Sequence, residues 1–311
     1  MKMIYDLIII GAGPAGLSSG IYAARRELQT LIIEKGLPGG QMLLTSDIQN
    51  YPGFSKISGN ELAERMESQA KEFGVEIANV EATKLDIKGN MKDVTTYEGE
   101  YEGKSIVLAT GSSYKKLGVK GEREFTGRGV SYCATCDAPF FKGKIVAVIG
   151  GGNSAVSSAL YLSEIAEKVY LIHRREQLRA EEARQKELKE KGVKLILNST
   201  VEEILGENLV NSIKIKDTKN ETKKIDVDGV FISIGTVPNS GLAKEAGVDL
   251  DEKGFIKINK NQETNIEGVF AAGDVTGGVM QISTAIGEGC IAALSAYEYV
   301  KKPYWENLQK G

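Results

Sequence analysis

The sequence predicts an α/β fold with two domains, the second inserted into the first. A strand, a glycine turn, a helix and a second strand follow one another around Gly11–Gly16, and the same order returns around Gly150–Ala155. A later Gly273-Asp274 pair, followed by a long apolar helix, indicates that the first domain resumes. The 311 residues suffice for two domains of roughly 150 residues each. We therefore expect two Rossmann-like, three-layer (ββα) dinucleotide-binding domains.

The composition limits the classes of partner. The 39 Lys and Arg residues against 42 Asp and Glu residues give a net charge of −3. Binding to nucleic acid or to an acidic membrane surface needs a basic excess, so neither is expected. No apolar stretch approaches the roughly 20 residues of a membrane helix. The start of the chain, Met1–Asp6, lacks a signal-peptide pattern, and we expect a cytoplasmic protein.

The counts of histidine and cysteine restrict the chemistry further. One histidine and three cysteines leave too few residues for a His-rich metal site, a zinc ribbon or a disulfide scaffold. His173 would have to serve any Ser/His/Asp triad. No metal is expected.

The first repeat unit predicts a nucleotide site. Strands are expected at Tyr5–Ile10 and Thr30–Glu34, with a helix between them that continues to Glu27. The turn fits G-x-G-x-x-G, which lets a pyrophosphate approach the helix N-terminus. Glu34 lies eighteen residues after Gly16, where a carboxylate can accept hydrogen bonds from adenosine ribose hydroxyls. The predicted site comprises Gly11, Gly13, Pro14, Ala15, Gly16 and Glu34.

The chain between the two repeat units continues the first domain. We predict a helix at Asn60–Phe73, β-structure over Val75–Thr96 and a strand at Ser105–Leu108. That strand runs into Ala109-Thr110-Gly111, and a Lys- and Gly-rich link at Lys115–Gly121 marks the crossing into the second domain.

The second repeat unit has cations where the first has an acid. Strands are predicted at Lys144–Ile149 and Val169–Ile172, with a helix up to Ala166 between them. The turn fits G-x-G-x-x-A through Gly150, Gly152, Asn153, Ser154 and Ala155. At the offset of the acid stands His173, followed by Arg174, Arg175 and Arg179.

This exchange of charge predicts two different nucleotides. A carboxylate suits a free ribose hydroxyl and repels a 2′-phosphate, whereas guanidinium groups bind a phosphate through charge-assisted bonds. We therefore expect FAD at the first site and NADPH at the second. The alternative for the three arginines is a solvent-exposed helix start.

The remaining pattern closes the second domain and returns to the first. The predicted elements are a helix at Glu181–Lys191, strands at Val193–Leu197, Leu209–Lys216, Val230–Ile234 and Phe255–Ile258, a helix at about Ser283–Val300, and a solvent-exposed tail at Lys301–Gly311.

A C-x-x-C motif just before the second repeat unit carries the candidate chemistry. Cys133 and Cys136 are followed by Asp137. Such spacing indicates a redox dithiol or half of a metal site, and the absence of a second Cys or His pair favours the dithiol over a metal. Two inert structural thiols are the alternative. Cys290, in an apolar segment, is expected to be a small core residue.

The whole chain resembles the low-molecular-weight thioredoxin reductases. The motifs that carry the resemblance are Gly11-Ala12-Gly13-Pro14-Ala15-Gly16, Gly39-Gly40-Gln41, Cys133-Ala134-Thr135-Cys136-Asp137, Gly150-Gly151-Gly152-Asn153-Ser154-Ala155, His173-Arg174-Arg175 with Arg179-Ala180, and Gly273-Asp274-Val275. The resemblance implies a homodimeric NADPH:thioredoxin-disulfide oxidoreductase whose FAD domain, residues 1–114 and 243–311, is interrupted by an NADPH domain at 115–242. Its partner would be a thioredoxin or a thioredoxin-like protein.

The resemblance also implies roles for individual residues. Besides the first glycine loop and Glu34, the FAD contacts would be Gly40, Gln41, Asn50, Thr110, Gly111, Gly273, Asp274, Gln281 and Ile282. Many relatives have Arg-Gln-Ala where this chain has Met280-Gln281-Ile282, so no polar side-chain contact like that of the arginine is expected at Met280. Arg128 would contact Asp137 or NADPH.

In the expected cycle a hydride passes from NADPH to the flavin, the Cys133–Cys136 disulfide is opened, and the dithiol exchanges with the partner disulfide. Cys136 would face the flavin, while the thiol that attacks the partner stays open. Asp137 would transfer a proton, or cap the following turn. Nicotinamide and disulfide share one domain, so two orientations are expected, with hinges near Ser112–Lys116 and Asn239–Ala243.

Other functions keep part of the pattern. A related flavin disulfide reductase could serve another protein or a small molecule. A ferredoxin-driven relative, or a dithiol oxidase that uses oxygen, would not need the three arginines. A nonenzymatic nucleotide sensor would not need the cysteine pair.

Overall fold

The computed structural model describes residues 4–45 and 48–308, which form two compact units. Residues Tyr114–Thr236 make up the inserted unit, and the chain on both sides of it makes up the outer unit. The strands are β1 (Ile4–Ile10), β2 (Thr30–Glu34), β3 (Glu76–Asn79), β4 (Ala82–Lys88), β5 (Met91–Thr96), β6 (Gly99–Leu108), β7 (Ser112–Tyr114), β8 (Val130–Ser131), β9 (Ile145–Ile149), β10 (Lys168–Ile172), β11 (Lys194–Ile196), β12 (Ser199–Gly206), β13 (Val210–Asp217), β14 (Thr222–Asp226), β15 (Gly229–Ile232), β16 (Thr236–Pro238) and β17 (Val269–Ala271). The helices are α1 (Pro14–Ala24), α2 (Gly59–Glu72), α3 (Ala134–Asp137), α4 (Asn153–Ser163), α5 (Glu182–Glu190), α6 (Gly241–Glu245) and α7 (Ile282–Leu308). Short 3-10 turns lie at Gly40–Leu44, Ala138–Phe141 and Asp274–Thr276.

The outer unit is built on a sheet in the order β3-β2-β1-β6-β5-β4, with β17 also paired to β6. Strand β1 runs parallel to β2 and β6, and Ile8 faces Leu31 on one side and Ile106 on the other. Side chains along β1 alternate between two cores, because successive residues of a strand point to opposite faces. Leu7 and Ile9 enter one core, and Ile8 and Ile10 enter the other.

Both ends of the outer unit's chain contribute to one layer. Helix α1 packs against α7, and the Ser19 hydroxyl of α1 donates to Gly289 O of α7 at 2.8 Å. Strand β17 reaches the sheet from the carboxyl side of the chain and pairs in parallel with β6. Strand β1 and helix α1, which flank the first glycine loop, are therefore packed together with β17 and α7, which follow the inserted unit in the chain.

The inserted unit repeats this arrangement. Its sheet has the order β11-β10-β9-β15-β8, with all pairs parallel. A separate antiparallel sheet, β12-β13-β14, adds a second layer. The apolar run at Val146–Ile149 is buried along its length, as expected for a parallel strand covered on both faces.

Two predicted elements are wrong. No regular strand forms at Phe255–Ile258 among the described residues; a single bridge pairs Leu250 with Ile256. Asp251 Oδ1 accepts hydrogen bonds from Lys253 N and Phe255 N, so a side chain holds this backbone as a turn instead of a ladder. The predicted end of the last helix at about Val300 is also wrong, because α7 continues through the predicted tail as far as Leu308; 309–311 lie outside the described residues.

Cys290 also differs from its prediction. It is half-buried on α7 rather than part of the core, and its interaction with the Tyr22 side chain of α1 raises the pKa of that phenol. Within 4–45 and 48–308, no helix has both the length and the apolar character needed to cross a bilayer.

Candidate functional site

The first glycine loop combines two tightly packed glycines with one open glycine. A Cβ at Gly11 would collide with Ala109 O, and one at Gly16 would collide with Gly11 O. Gly11 also has a φ of 107°, a conformation that favours glycine. A Cβ at Gly13 would meet nothing within 4 Å. The loop thus leaves an open cradle at the start of α1, where backbone N–H groups and the helix dipole favour a phosphate.

Pro14 and Ala15 fit this cradle. Pro14 occupies the first turn of α1, where its missing N–H costs no helix bond. Ala15 is buried, and a Cβ on Gly273 would lie 2.9 Å from its methyl group. The small residues here permit the returning chain to approach the loop closely.

Glu34 closes the loop from the end of β2. Its Oε2 accepts a hydrogen bond from Ala12 N at 2.8 Å, and its Oε1 accepts one from Gly36 N at 2.9 Å. Each carboxylate oxygen has a second lone pair, so the half-buried group can still accept ribose hydroxyls. The carboxylate therefore fixes the loop and remains available as an acceptor.

Gln41, Ser112 and Asp274 form a polar cluster in the outer unit. Gln41 Nε2 donates to Ser112 O at 2.7 Å and to Asp274 Oδ2 at 3.2 Å. Ser112 Oγ lies 3.3 Å from the same Asp274 oxygen. Burial raises the pKa of Asp274, and the Ser112 hydrogen bond opposes that shift. Asp274 begins a 3-10 turn, and Ser112 was not predicted from the sequence.

The other predicted FAD residues lie in turns that local hydrogen bonds hold in place. Asn50 Nδ2 donates to Gln281 Oε1 at 3.1 Å, immediately before Ile282 begins α7. Thr110 Oγ1 donates to Asn239 O at 2.7 Å. Gly40 and Gly111 both have positive φ, of 56° and 68°. Met280 adopts a φ of 53°, and its carbonyl accepts from Gln281 Nε2.

Glu288 of α7 supports the Asp274 turn, which the sequence analysis missed. Its Oε2 accepts from Gly273 N at 2.7 Å and from Thr276 Oγ1 at 3.3 Å. Burial raises the pKa of Glu288, and the negative charge of Asp274 adds to that shift. Its position one turn along an apolar helix carried no local signal for this contact.

The second glycine loop repeats the open cradle. A Cβ at Gly150 would collide with Ser233 O, and one at Gly151 would collide with the His173 ring. Gly152 faces open space at the start of α4. Ala155 is buried beneath the loop, whereas Asn153 and Ser154 are exposed. Asn153 Oδ1 accepts from Glu181 N, so the loop is tied to the start of α5.

The three arginines next to this loop are exposed. Among the described residues, no hydrogen bond or ion pair engages the guanidinium groups of Arg174, Arg175 and Arg179, so all three are available to a phosphate. Arg179 N donates to Gly151 O at 2.6 Å, which fixes the arginine segment to the loop.

His173 is buried under Gly151. Burial lowers its pKa, and the positive charges of Arg179, Arg175 and Arg174 lower it further, so the ring is neutral at pH 7. Its Nε2 has no hydrogen-bond partner within residues 4–45 and 48–308. A buried polar atom without a partner is costly and is consistent with a site completed by a ligand.

Cys133 and Cys136 form a disulfide in the inserted unit, with their Cα atoms 5.3 Å apart. Both are half-buried. Cys133 is the N-cap of the one-turn helix α3, and its Sγ accepts from Cys136 N at 3.2 Å. The helix begins at this motif because the cysteine supplies the cap.

Asp137 follows Cys136 in the chain, and Ser131 holds its side chain. Ser131 Oγ donates to Asp137 Oδ2 at 2.6 Å. Burial raises the pKa of Asp137, and the Ser131 bond opposes that shift. Asp137 occupies the N-cap position of the following 3-10 turn, as the alternative predicted, but its side chain makes no cap bond there. The predicted contact between Arg128 and Asp137 is absent among the described residues, where Arg128 donates to Glu124 O; a contact with NADPH stays a prediction.

Comparisons with known proteins match nearly the whole chain. The pyridine nucleotide-disulphide oxidoreductase family matches residues 5–289. A thioredoxin reductase of Bacillus subtilis is 46% identical over 305 residues, which cover 97% of this chain and 96% of the relative. The crystal structure of thioredoxin reductase from Streptococcus pyogenes is 42% identical, with a TM-score of 0.92, over 97% of this chain and 100% of that one. A ferredoxin-flavin thioredoxin reductase from Clostridium acetobutylicum is 36% identical, with a TM-score of 0.53, over 98% and 99%.

Proposed function

The chain belongs to the pyridine nucleotide-disulphide oxidoreductase family, and within it to the thioredoxin reductases; we propose that it reduces the disulfide of a thioredoxin with electrons from NADPH. The observation that carries this function is the Cys133–Cys136 disulfide in the same unit as a glycine loop flanked by free arginines. A redox-active disulfide and a site for a phosphorylated nucleotide are the two elements that the reaction needs.

The enzyme uses FAD and NADPH, and the residues fit both groups. The open cradles at Gly13 and Gly152 admit a pyrophosphate, and the His173 Nε2 atom lacks a partner. When bound, the two cofactors supply the hydride chemistry that delivers an electron pair to the disulfide. We assign FAD to residues 1–114 and 243–311, and NADPH to 115–242.

Individual side chains of the FAD site have distinct roles in this assignment. The Asp274 carboxylate and the Gln41 amide present polar atoms to the ribityl hydroxyls, and Glu34 presents acceptors to the adenosine ribose. Asn50, Gln281 and Ile282 lie where the N-terminus of α7 begins. The positive end of that helix dipole favours negative charge on a reduced flavin.

At the NADPH site the arginines decide the choice of nucleotide. Arg174, Arg175 and Arg179 bind the 2′-phosphate, while the backbone of Gly150–Ala155 holds the pyrophosphate. His173 fills the space under Gly151 and supports the loop from inside the unit.

The cysteines and Asp137 perform the exchange. Two-electron reduction of the disulfide gives two thiolates, and Asp137 protonates one of them. Asp137 can do so because burial raises the pKa of its carboxyl group, which keeps it protonated at a higher pH than usual. The resulting dithiol exchanges with a disulfide of the partner. The partner is a thioredoxin or a thioredoxin-like protein, and we propose a cytoplasmic homodimer.

We further propose that the inserted unit adopts two orientations, because both the nicotinamide and the disulfide must meet the flavin. The hinges are assigned near Ser112–Lys116 and Asn239–Ala243. A cross-link that fixed the two units and still allowed full turnover would contradict this movement.

The test is anaerobic reduction of the purified protein by NADPH and, separately, by NADH, followed through flavin absorbance. Thioredoxin and a disulfide reporter are then added. We expect bleaching by NADPH, weaker bleaching by NADH, and reporter turnover that Cys136→Ser abolishes. Bleaching without turnover would point to a related flavin disulfide reductase or dithiol oxidase with another partner. A protein that ferredoxin alone reduces would contradict the NADPH assignment.

A further inference from the structure

Ser131, the last residue of β8, connects the backbone of Cys133 to the side chain of Asp137. Its Oγ accepts a hydrogen bond from Cys133 N at 3.1 Å and donates one to Asp137 Oδ2 at 2.6 Å. Cys133 O lies 3.3 Å from the same hydroxyl. Ser131 is 5% exposed, so water cannot replace these bonds readily. One side chain thus connects the first cysteine of the disulfide to the acid that follows the second.

The hydrogen count of a hydroxyl decides the direction of this bridge. A serine hydroxyl has one hydrogen to donate, and the shorter contact with a carboxyl oxygen takes it. The hydrogen bonds therefore run from Cys133 N–H to Ser131 O–H and on to Asp137 Oδ2. Among the described residues, Asp137 Oδ1 has no hydrogen-bond donor or acceptor. A proton on Asp137 is thus favoured at Oδ1, since Oδ2 already accepts one.

We propose that Ser131 is a positioning residue for disulfide reduction, which fixes the Asp137 carboxyl group so that Oδ1 carries the transferred proton. The proposal rests on the proposed function, because NADPH supplies the electron pair. Two electrons break the S–S bond of Cys133 and Cys136 and give two thiolates. One thiolate takes the proton from Asp137 Oδ1 and becomes a thiol, leaving one thiolate and the Asp137 carboxylate, whose charge the Ser131 hydrogen bond stabilises.

The Ser131 hydrogen bond is the main influence that opposes the effect of burial on the pKa of Asp137. Within the described residues, burial raises the pKa of Asp137, the Ser131 bond lowers it, and no charged side chain contributes. Removing the hydroxyl therefore leaves burial unopposed. The pKa of Asp137 should rise, and the carboxyl group should also lose its fixed orientation.

The test is rapid anaerobic mixing of the oxidised holoenzyme with NADPH over a range of pH, with the disulfide-reduction step measured separately from flavin reduction. In Ser131→Ala we expect the basic limb of the rate profile to move up by roughly one pH unit and the rate below it to fall. Ser131→Thr keeps the hydroxyl and should restore the limb. Ser163→Ala removes a hydroxyl that, within the described part of the chain, bonds only to Leu160 O, and it should match the wild type.

Asp137→Asn provides the second comparison. In that background the Ser131→Ala change should have no further effect on the profile, and a full additional loss would overturn the proposal. So would an unchanged profile in Ser131→Ala. If the wild type reduced its flavin but not thioredoxin, the proposed function would fail while the Ser131 comparison could still be made.

Infrared spectroscopy of the wild type gives a test that does not depend on how Ser131→Ala folds. The carboxyl C=O stretch of Asp137 can be assigned by its absence in Asp137→Asn. If the proton lies on Oδ1, the C=O oxygen is Oδ2, which accepts from Ser131, and its band lies below that of a free carboxyl group. A band at the free frequency would overturn the proposal.

Discussion

Gln41 and Asp274, which are 233 positions apart in sequence, are joined by a 3.2 Å hydrogen bond from Nε2 to Oδ2. Ser112 contacts both side chains through its carbonyl and its hydroxyl. The cluster brings together the turn after the first glycine loop, the end of the first outer segment and the returning chain. The proposed FAD site is therefore complete only when all three segments are in place.

Replacing Asp274 tests this cluster. Asp274→Ala removes a buried acceptor and should weaken FAD binding about 10-fold to 100-fold, because a hydrogen bond to a charged group is worth about 1.5–3 kcal/mol. FAD released from the purified variant during ultrafiltration would be measured by fluorescence. Asp86→Asn, which alters an ion pair with Lys84 elsewhere in the outer unit, should retain FAD.

The two kinds of glycine in the first loop should fail in different ways. Gly16→Ala places a Cβ against Gly11 O and should lower the thermal stability of the apoprotein. Gly13 has open space and a φ of −72°, so Gly13→Ala should leave the apoprotein's Tm within about 2 °C while it reduces FAD affinity. Calorimetry with and without FAD separates the effects. A Gly13→Ala variant with normal FAD affinity would contradict the assignment of the FAD pyrophosphate to the space at Gly13.

Arginine variants test the choice between the two nicotinamide nucleotides. The double variant Arg174→Ala/Arg175→Ala should raise KM for NADPH about 10-fold to 100-fold, because the two charge-assisted bonds that it removes are exposed and weakened by solvent screening, and it should leave KM for NADH within about 2-fold. Arg184→Ala removes an exposed arginine that binds Ser157 Oγ instead, and it serves as the matched control. Equal losses with both nucleotides would place the 2′-phosphate elsewhere.

Lys92 predicts a pH dependence of stability. It is fully buried, and its Nζ donates to Lys104 O and Tyr299 Oη, both at 2.9 Å. Burial lowers the pKa of Lys92 in the folded protein. Between that pKa and 10.5, the unfolded chain therefore binds more protons than the folded protein does. The free energy of unfolding therefore rises with pH across that window. Relative to Lys92→Met, the wild type should gain stability as pH rises toward 10.5.

Lys88 provides the control of opposite sign. Its exposed side chain pairs with Asp93, whose hydrogen bond raises the pKa of Lys88. The stabilisation that this ion pair gives the folded protein is fully present below pH 10.5, and it is lost as the pH rises through the pKa of Lys88 in the folded protein. Thermal unfolding of Lys88→Met and Lys92→Met from pH 7 to pH 11 should thus give slopes of opposite direction relative to the wild type.

The sequence predicted the parts of the fold that depend on local patterns. The α/β class and both strand–glycine loop–helix–strand units are confirmed, because apolar runs of strand length and glycine spacing are local properties of the chain. Thioredoxin reductase function and both cofactors followed from the motifs and from the family resemblance together. The assignments of individual site residues stay predictions.

The missed residues share a physical reason. Ser112, Ser131 and Glu288 join the predicted site residues through hydrogen bonds that form only when the chain has folded, and no periodicity marks them. Phe255–Ile258 has the composition of a strand, but Asp251 bonds the local backbone first. In each case a specific polar contact, rather than hydrophobic spacing, decided the outcome.

The divided outer unit imposes an order on protein synthesis. Residues Tyr114–Thr236 emerge from the ribosome as a complete unit, with all strands of their parallel sheet available. The outer unit must wait, because β6 lacks β17 and α1 lacks α7 until the chain is nearly finished. The nascent chain therefore exposes the apolar face of α1 and one edge of β6 during this interval, and these are the surfaces that a chaperone would protect.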